Sequence, residues 1–147
     1  MTLRIDRVLT EPGLVAGAKT WTLLTDGGAL YVLPLGPGRA QTMPRADPIS
    51  MWLAKKMMRR MFRMFDRKVL AAEERLAVQG PGPFADAGKG ERFAPSKVSV
   101  VAAEGNRLRL ELGGKPRVFY GTGLFQDHDR SDELAAFASG LRAWAAS

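Results

Sequence analysis

The chain has 147 residues, 46% of them hydrophobic, and its 22 basic and 15 acidic side chains give a net charge of +7. This length and composition are typical of a single globular domain covering residues 1–147. The absence of cysteine excludes disulfide bonds, thiolate metal sites and cysteine nucleophiles. Because there is no apolar run of about 18 residues and no signal-peptide core, we expect a soluble, cytoplasmic protein.

The first part of the chain, residues 2–35, predicts strands. Residues 3–9 begin with an alternation of apolar and polar side chains, and residues 14–24 include the β-favouring Thr-Trp-Thr run. The Asp-Gly-Gly sequence at 26–28 is typical of a tight hairpin turn, and residues 29–33 form the return strand. We therefore expect three strands in meander order.

A long helix is predicted to follow a linker at residues 36–47. Asp47 can cap the start of this helix, Pro48 suits its first position, and Gly80 marks its end, so we place the helix at residues 48–77. At about 100° per residue, apolar side chains occupy one half of the helix and basic side chains the other. The apolar docking face comprises Met57, Met61, Met64 and Phe65. The basic face comprises Lys55, Lys56, Arg59, Arg60, Arg63 and Arg67.

The second half of the chain returns to strands. Residues 79–96 are rich in glycine and proline and predict a flexible loop, and residues 97–121 predict three further strands joined by glycine turns. An apolar stripe over residues 131–145 predicts a C-terminal helix. The fold class is therefore α+β: an antiparallel meander sheet or partly open barrel of six or seven strands, a long central amphipathic helix and a C-terminal helix.

Several stretches together are similar to a known family. Residues 108–114 and 118–120 form a glycine-bounded hairpin pattern, the closing helix follows at 132–144, and residues 23–33 have the pattern threonine, turn, leucine-tyrosine. This arrangement resembles the bacterial pleckstrin-homology-like (PH-like) domain, in which seven meandering strands end in a hairpin and an amphipathic helix plugs the barrel. The resemblance does not imply phosphoinositide binding, because the first strand connection, residues 10–13, lacks clustered basic side chains.

Two other patterns invite a chemical interpretation. Asp127-His128-Asp129 could bind a metal or act in acid–base chemistry, but three neighbours before a helix more often form a turn and a cap. The loop at 82–90 has five residues between its glycines, where a phosphate-binding loop requires four. No serine or threonine lies in a nucleophile motif. We therefore expect no enzyme activity, no metal and no cofactor.

The charge of the predicted helix indicates a function. Seven basic residues and one acid lie between Lys55 and Lys68, and four of the bases are spaced four apart, so they repel one another. Glu73, Glu74, a second chain or a ligand could relieve this repulsion. We interpret the chain as a non-catalytic binding or adaptor module whose basic face contacts an anionic or protein partner, while the apolar docking face lies on the sheet or on a second chain.

Three alternatives to this interpretation stay open. The basic face could associate peripherally with an anionic membrane surface, or it could bind nucleic acid without sequence specificity. It could also be the solvated outer face of an ordinary packed helix. A protein partner or self-association is the main expectation, nucleic acid is a lesser one, and nothing indicates a small-molecule substrate.

Overall fold

A computed structural model describes residues 2–12, 17–43 and 47–147 of the chain. Residues 14–16 of the predicted second strand, and 44–46 of the predicted linker, lie outside the described residues. The described residues form one antiparallel sheet of seven strands in the spatial order β4-β3-β2-β1-β7-β6-β5. The strands are β1 (Arg4–Thr10), β2 (Lys19–Asp26), β3 (Ala29–Pro37), β4 (Glu91–Phe93), β5 (Val98–Glu104), β6 (Arg107–Leu112) and β7 (Lys115–Tyr120). The helices are α1 (Pro48–Gln79), α2 (Pro81–Gly88) and α3 (Ser131–Ala146).

This architecture confirms the predicted α+β class, with an open antiparallel sheet, a long helix and a C-terminal helix. The two predicted glycine turns close hairpins. Gly27 and Gly28 connect β2 to β3 with φ angles of 58° and 81°, and Gly113 and Gly114 connect β6 to β7 with 58° and 82°. Both positions of such two-residue turns need a positive φ, which glycine adopts without steric cost.

One face of the sheet carries the first core. Ile5, Leu23, Val32 and Phe119 are fully buried there, and α3 covers them with an apolar stripe of its own. The stripe consists of Leu134, Phe137, Ala138 and Leu141.

Arg130 fixes the start of α3 against β1. Its guanidinium donates hydrogen bonds to the carbonyl oxygens of Asp6 at 2.6 Å and Arg7 at 2.9 Å, and it pairs with Glu133 at 2.8 Å. The hydrogen bond from Arg130 lowers the pKa of the Glu133 carboxyl. The C-terminal helix is therefore held by polar contacts as well as by its apolar stripe.

The opposite face of the sheet carries a second, smaller core. Side chains alternate along β3, so that Val32 points to the first core while Leu33 and Leu35 point to the second. Helices α1 and α2 cover this second face. They contribute Val69, Ala72, Leu76, Phe84 and Ala85.

Residues 79–96, predicted to be a flexible loop, instead contain α2 and β4. The local sequence is unfavourable for a helix, but Pro81 occupies the first helical position, where proline is tolerated, and burial of Phe84 and Ala85 on the second core stabilises the turn. β4 is only three residues long and forms by pairing with Leu30–Val32 of β3. The long helix also continues to Gln79, two residues beyond its predicted end.

Candidate binding surface on helix α1

Helix α1 is a single continuous helix of 32 residues, roughly 48 Å long at 1.5 Å per residue. The carboxylate of Asp47 accepts hydrogen bonds from the backbone N–H groups of Ile49 at 3.1 Å and Ser50 at 3.0 Å, and from the Ser50 hydroxyl at 2.8 Å. These bonds, chiefly those from Ser50, lower the pKa of Asp47. At the other end, the N–H of Gly80 donates to the carbonyl of Leu76. Helix α1 therefore begins and ends at the caps that the sequence predicts.

Burial divides α1 into two parts. We call residues 62–79 the packed half, because it holds all four buried side chains of the helix: Phe62, Val69, Ala72 and Leu76. We call residues 48–61 the free half. No side chain of the free half is buried, although this half extends for roughly 20 Å.

Ion pairs join the packed half to β1 and to the segment that follows β3. Glu73 accepts from Arg7 of β1 at 2.6 Å, and Asp66 accepts from Arg39 at 2.8 Å. The hydrogen bond with Glu73 raises the pKa of Arg7. Glu73 was one of the expected counterions for the basic face, but the structure pairs it with the body of the protein instead.

The basic face has no such partners. All six of its side chains are exposed, and among the described residues none has a carboxylate oxygen within 4.0 Å of its charged nitrogen atoms. Two of them contact aromatic rings instead: the Lys56 ammonium lies 5.6 Å from the centre of the Trp52 ring, and the Arg59 guanidinium lies 4.8 Å from that of Phe125. The repulsion among these bases is therefore not relieved within the described chain.

The predicted apolar docking face does not lie on the sheet. The exposed fractions are 63% for Met57, 41% for Met61 and 57% for Met64, and only Phe65 is half-buried. The three methionines stay exposed because the side chains of α1 that contact the sheet are displaced from them by about a third of a turn around the helix axis. The three methionines therefore do not pack on the sheet, Phe65 is partly covered, and docking of this face on a second chain stays a prediction.

Exposed apolar side chains continue along the free half. Leu53 lies on the same line as the methionines, and we call Leu53, Met57, Met61 and Met64 the Met face. Ile49 and Trp52, which are 80% and 64% exposed, lie outside this line. Sequence periodicity identified an apolar half of the helix but gave no sign that so much of it would stay uncovered.

A groove lies beside the Met face, between α1, the end of β3 and α2. Its volume is about 1080 Å³, and its walls include Met58, Met61 and Phe65 of α1, Leu35 of β3 and Phe84 of α2. Sequence reasoning missed this groove because Phe84 belongs to the segment predicted to be a loop. The groove and the Met face share Met61 and form one apolar surface.

The Asp127-His128-Asp129 sequence precedes α3, whose N-cap residue is Arg130 and has no side-chain cap hydrogen bond. All three residues are exposed, and Asp129 accepts hydrogen bonds from the N–H and hydroxyl of Ser131, which lower the pKa of its carboxyl. In the part of the chain that the structure describes, no three histidine, aspartate or glutamate side chains come together as a metal site would require.

Comparison of the chain with protein-family models, curated proteins and solved structures finds no match. The resemblance to the PH-like domain therefore stays a prediction. No helix of the described residues combines the length and the apolar character needed to cross a bilayer. The predicted cytoplasmic location likewise stays a prediction.

Proposed function

We propose that this protein is a non-catalytic binding module and that the basic face of α1, four of whose six bases lie in the free half, contacts an anionic partner. The proposal rests on one observation: the bases of this half have no carboxylate partner among the described residues, and they lie beside apolar side chains that the fold leaves uncovered. The free half, residues 48–61, has four basic residues and no acid. A surface of this composition attracts anions and offers them apolar contact.

Electrostatics support an anionic partner. Lys55, Arg59, Arg63 and Arg67 follow one another at intervals of four, and each like-charged pair costs a few tenths of a kcal/mol in a helix. An anionic surface relieves this repulsion. A second copy of the chain that paired through its own free half would increase it, so self-association through this surface is the less favoured arrangement.

We also propose that the chain is a PH-like domain. Seven strands in two meanders, β1–β4 and β5–β7, joined by the pairing of β1 with β7, and a C-terminal helix over the first core support this assignment. The functional element lies outside those features, because α1 is inserted between β3 and β4. The strands then act as the scaffold, and the inserted helix carries the binding surface.

Nucleic acid stays a second candidate because phosphates suit the same bases. Phe62 is buried and Phe65 is half-buried, so neither is free to stack on a base. Trp52 is exposed and its ring is accompanied by Lys56, which makes it the one aromatic side chain of the free half that could stack.

The decisive experiment reverses the charge of the basic face. The variant Arg59→Glu/Arg63→Glu changes two exposed side chains, and Lys97→Glu/Lys115→Glu is a matched control with the same change in net charge at exposed positions elsewhere. Binding is measured at low salt to vesicles containing phosphatidylserine, to a short DNA duplex and to polyglutamate. We expect the parent to bind at least one probe, the Arg59/Arg63 variant to bind it at least about ten-fold more weakly, and the control to bind as the parent does.

Two results would contradict the proposal. The parent could bind none of the three probes. Alternatively, the control could lose as much affinity as the Arg59/Arg63 variant, which would mean that net charge and not the basic face determines binding.

A further inference from the structure

We infer that the anionic partner is the surface of a lipid bilayer and that α1 lies along it with the Met face in the acyl boundary. This inference rests on the proposed function and names the class of partner. The first supporting observation is the distribution of acids. All three acids of α1, Asp66, Glu73 and Glu74, lie outside the arc of about 100° that contains the Met face. In that arc the helix presents apolar and basic side chains, together with the uncharged Ser50 and Gln79, and no acid.

The second observation is the way apolar and basic side chains alternate around the free half. Six side chains follow one another around the helix within about 140°, in the order Trp52, Lys56, Ile49, Arg60, Leu53 and Met57. All six side chains are exposed. The bases are therefore interleaved with the apolar groups and do not form a separate rim.

This interleaving distinguishes a bilayer from a protein partner. The centre of a protein interface is depleted of charged residues, since covering Lys56 and Arg60 with a dry surface would bury unpaired charges. At a bilayer surface the long side chains of lysine and arginine reach the hydrated phosphates while their apolar neighbours enter the acyl region. The same arrangement that is unfavourable under a protein is thus favourable at a membrane.

The third observation is the length and accessibility of the Met face. The Met face extends from Leu53 to Met64, roughly 16 Å along the axis, and its four side chains are between 41% and 63% exposed. All buried side chains of α1 lie in the packed half, and the free half contacts the body through Arg59 on Phe125 and through Met58 and Met61 in the groove wall. The free half can therefore lie on a surface without disturbing the buried side chains of either core. An interfacial helix needs this combination of an accessible apolar line and flanking bases.

The first test removes apolar character without changing charge. Leu53→Gln/Met57→Gln is compared with Val101→Gln, which alters a side chain of similar exposure on β5. Flotation is measured with vesicles of phosphatidylcholine alone and with vesicles that also contain phosphatidylserine. We expect the parent to bind the anionic vesicles only, Leu53→Gln/Met57→Gln to bind them roughly ten-fold more weakly, and Val101→Gln to bind like the parent.

A second measurement detects insertion directly. Because the chain contains no cysteine, Met57→Cys or Val101→Cys provides a single attachment site for an environment-sensitive fluorophore. We expect a blue shift, and quenching by brominated acyl chains, for the label at position 57 and neither for the label at position 101.

The results separate this inference from the proposed function. Vesicle binding that depends on Arg59 and Arg63 but not on Leu53 and Met57, with a label at position 57 that stays in water, would overturn the bilayer insertion and leave the anionic-partner proposal intact. Charge-dependent binding to DNA or polyglutamate without binding to vesicles would do the same. Weaker vesicle binding by both Arg59→Glu/Arg63→Glu and Leu53→Gln/Met57→Gln, together with insertion of the label at position 57, would support both the bilayer inference and the proposed function.

Discussion

The two halves of α1 belong to one helix but differ in what holds them. The packed half contributes four buried side chains and two ion pairs to the body, whereas the free half contributes no buried side chain. Helix formation has a costly nucleus and a favourable extension. The packed half, held against the sheet, supplies that nucleus. The free half can therefore stay helical although its basic side chains repel one another. The comparison shows that one helix can pack on the core through one segment and leave another segment without buried side chains.

The largest expected effect comes from making the same truncation in each half. Leu76 is buried in the second core, and we expect Leu76→Ala to lower the free energy of unfolding by about 2–5 kcal/mol through lost contacts and a cavity. Leu53 is exposed, and Leu53→Ala should change the free energy of unfolding by no more than about 0.5 kcal/mol. Urea denaturation of both variants measures the difference, and equal costs would contradict the division of the helix.

The ends of α1 were predictable from the sequence because capping is local. Asp47, Pro48 and Gly80 act on groups within four residues of themselves, so no knowledge of the fold is needed. The same is true of the glycine turns between β2 and β3 and between β6 and β7.

Two features were not predictable because they depend on distant partners. α2 has a composition typical of a loop and becomes helical through burial of Phe84 against β3, and β4 exists only because β3 offers it a neighbour. Periodicity likewise showed that α1 has an apolar half but not which part of that half the sheet would cover. Met57 and Val69 look equivalent in the sequence, yet one is exposed and the other is buried.

A second prediction compares local opening of the two halves by hydrogen exchange. The free half can unfold from its N-terminal end without exposing core side chains, whereas the packed half opens only when the second core separates. We expect backbone amides of residues 55–60 to exchange at least about 100-fold faster than those of residues 69–76. Equal protection would show that the free half is held as firmly as the packed half and would contradict the comparison.

The smallest expected effect is the pH dependence of the free end. The pKa of Asp47 is held below its ordinary value of 3.8 by the hydrogen bonds it accepts, chiefly from Ser50. A carboxylate whose pKa is lower in the folded state contributes stability above the unfolded pKa and loses it as the pH falls through the folded pKa. The cap is therefore complete at pH 7 and is lost progressively below about pH 3.8, and because no core contact holds the free half, the loss stays local.

Residue-specific exchange or NMR shifts of the Ile49 and Ser50 amides measure this loss of the cap as the pH is lowered. Asn also caps helices but has no carboxyl proton to gain, so Asp47→Asn is the matched control, and its first turn should show no transition in this range. A transition of the same size in Asp47→Asn would assign the effect to other carboxyl groups, among them Asp129 and Glu133 at the start of α3, whose pKa values are also lowered. A transition confined to the parent would show that the free half is anchored at its outer end by Asp47 alone, whereas its inner end is anchored by the second core.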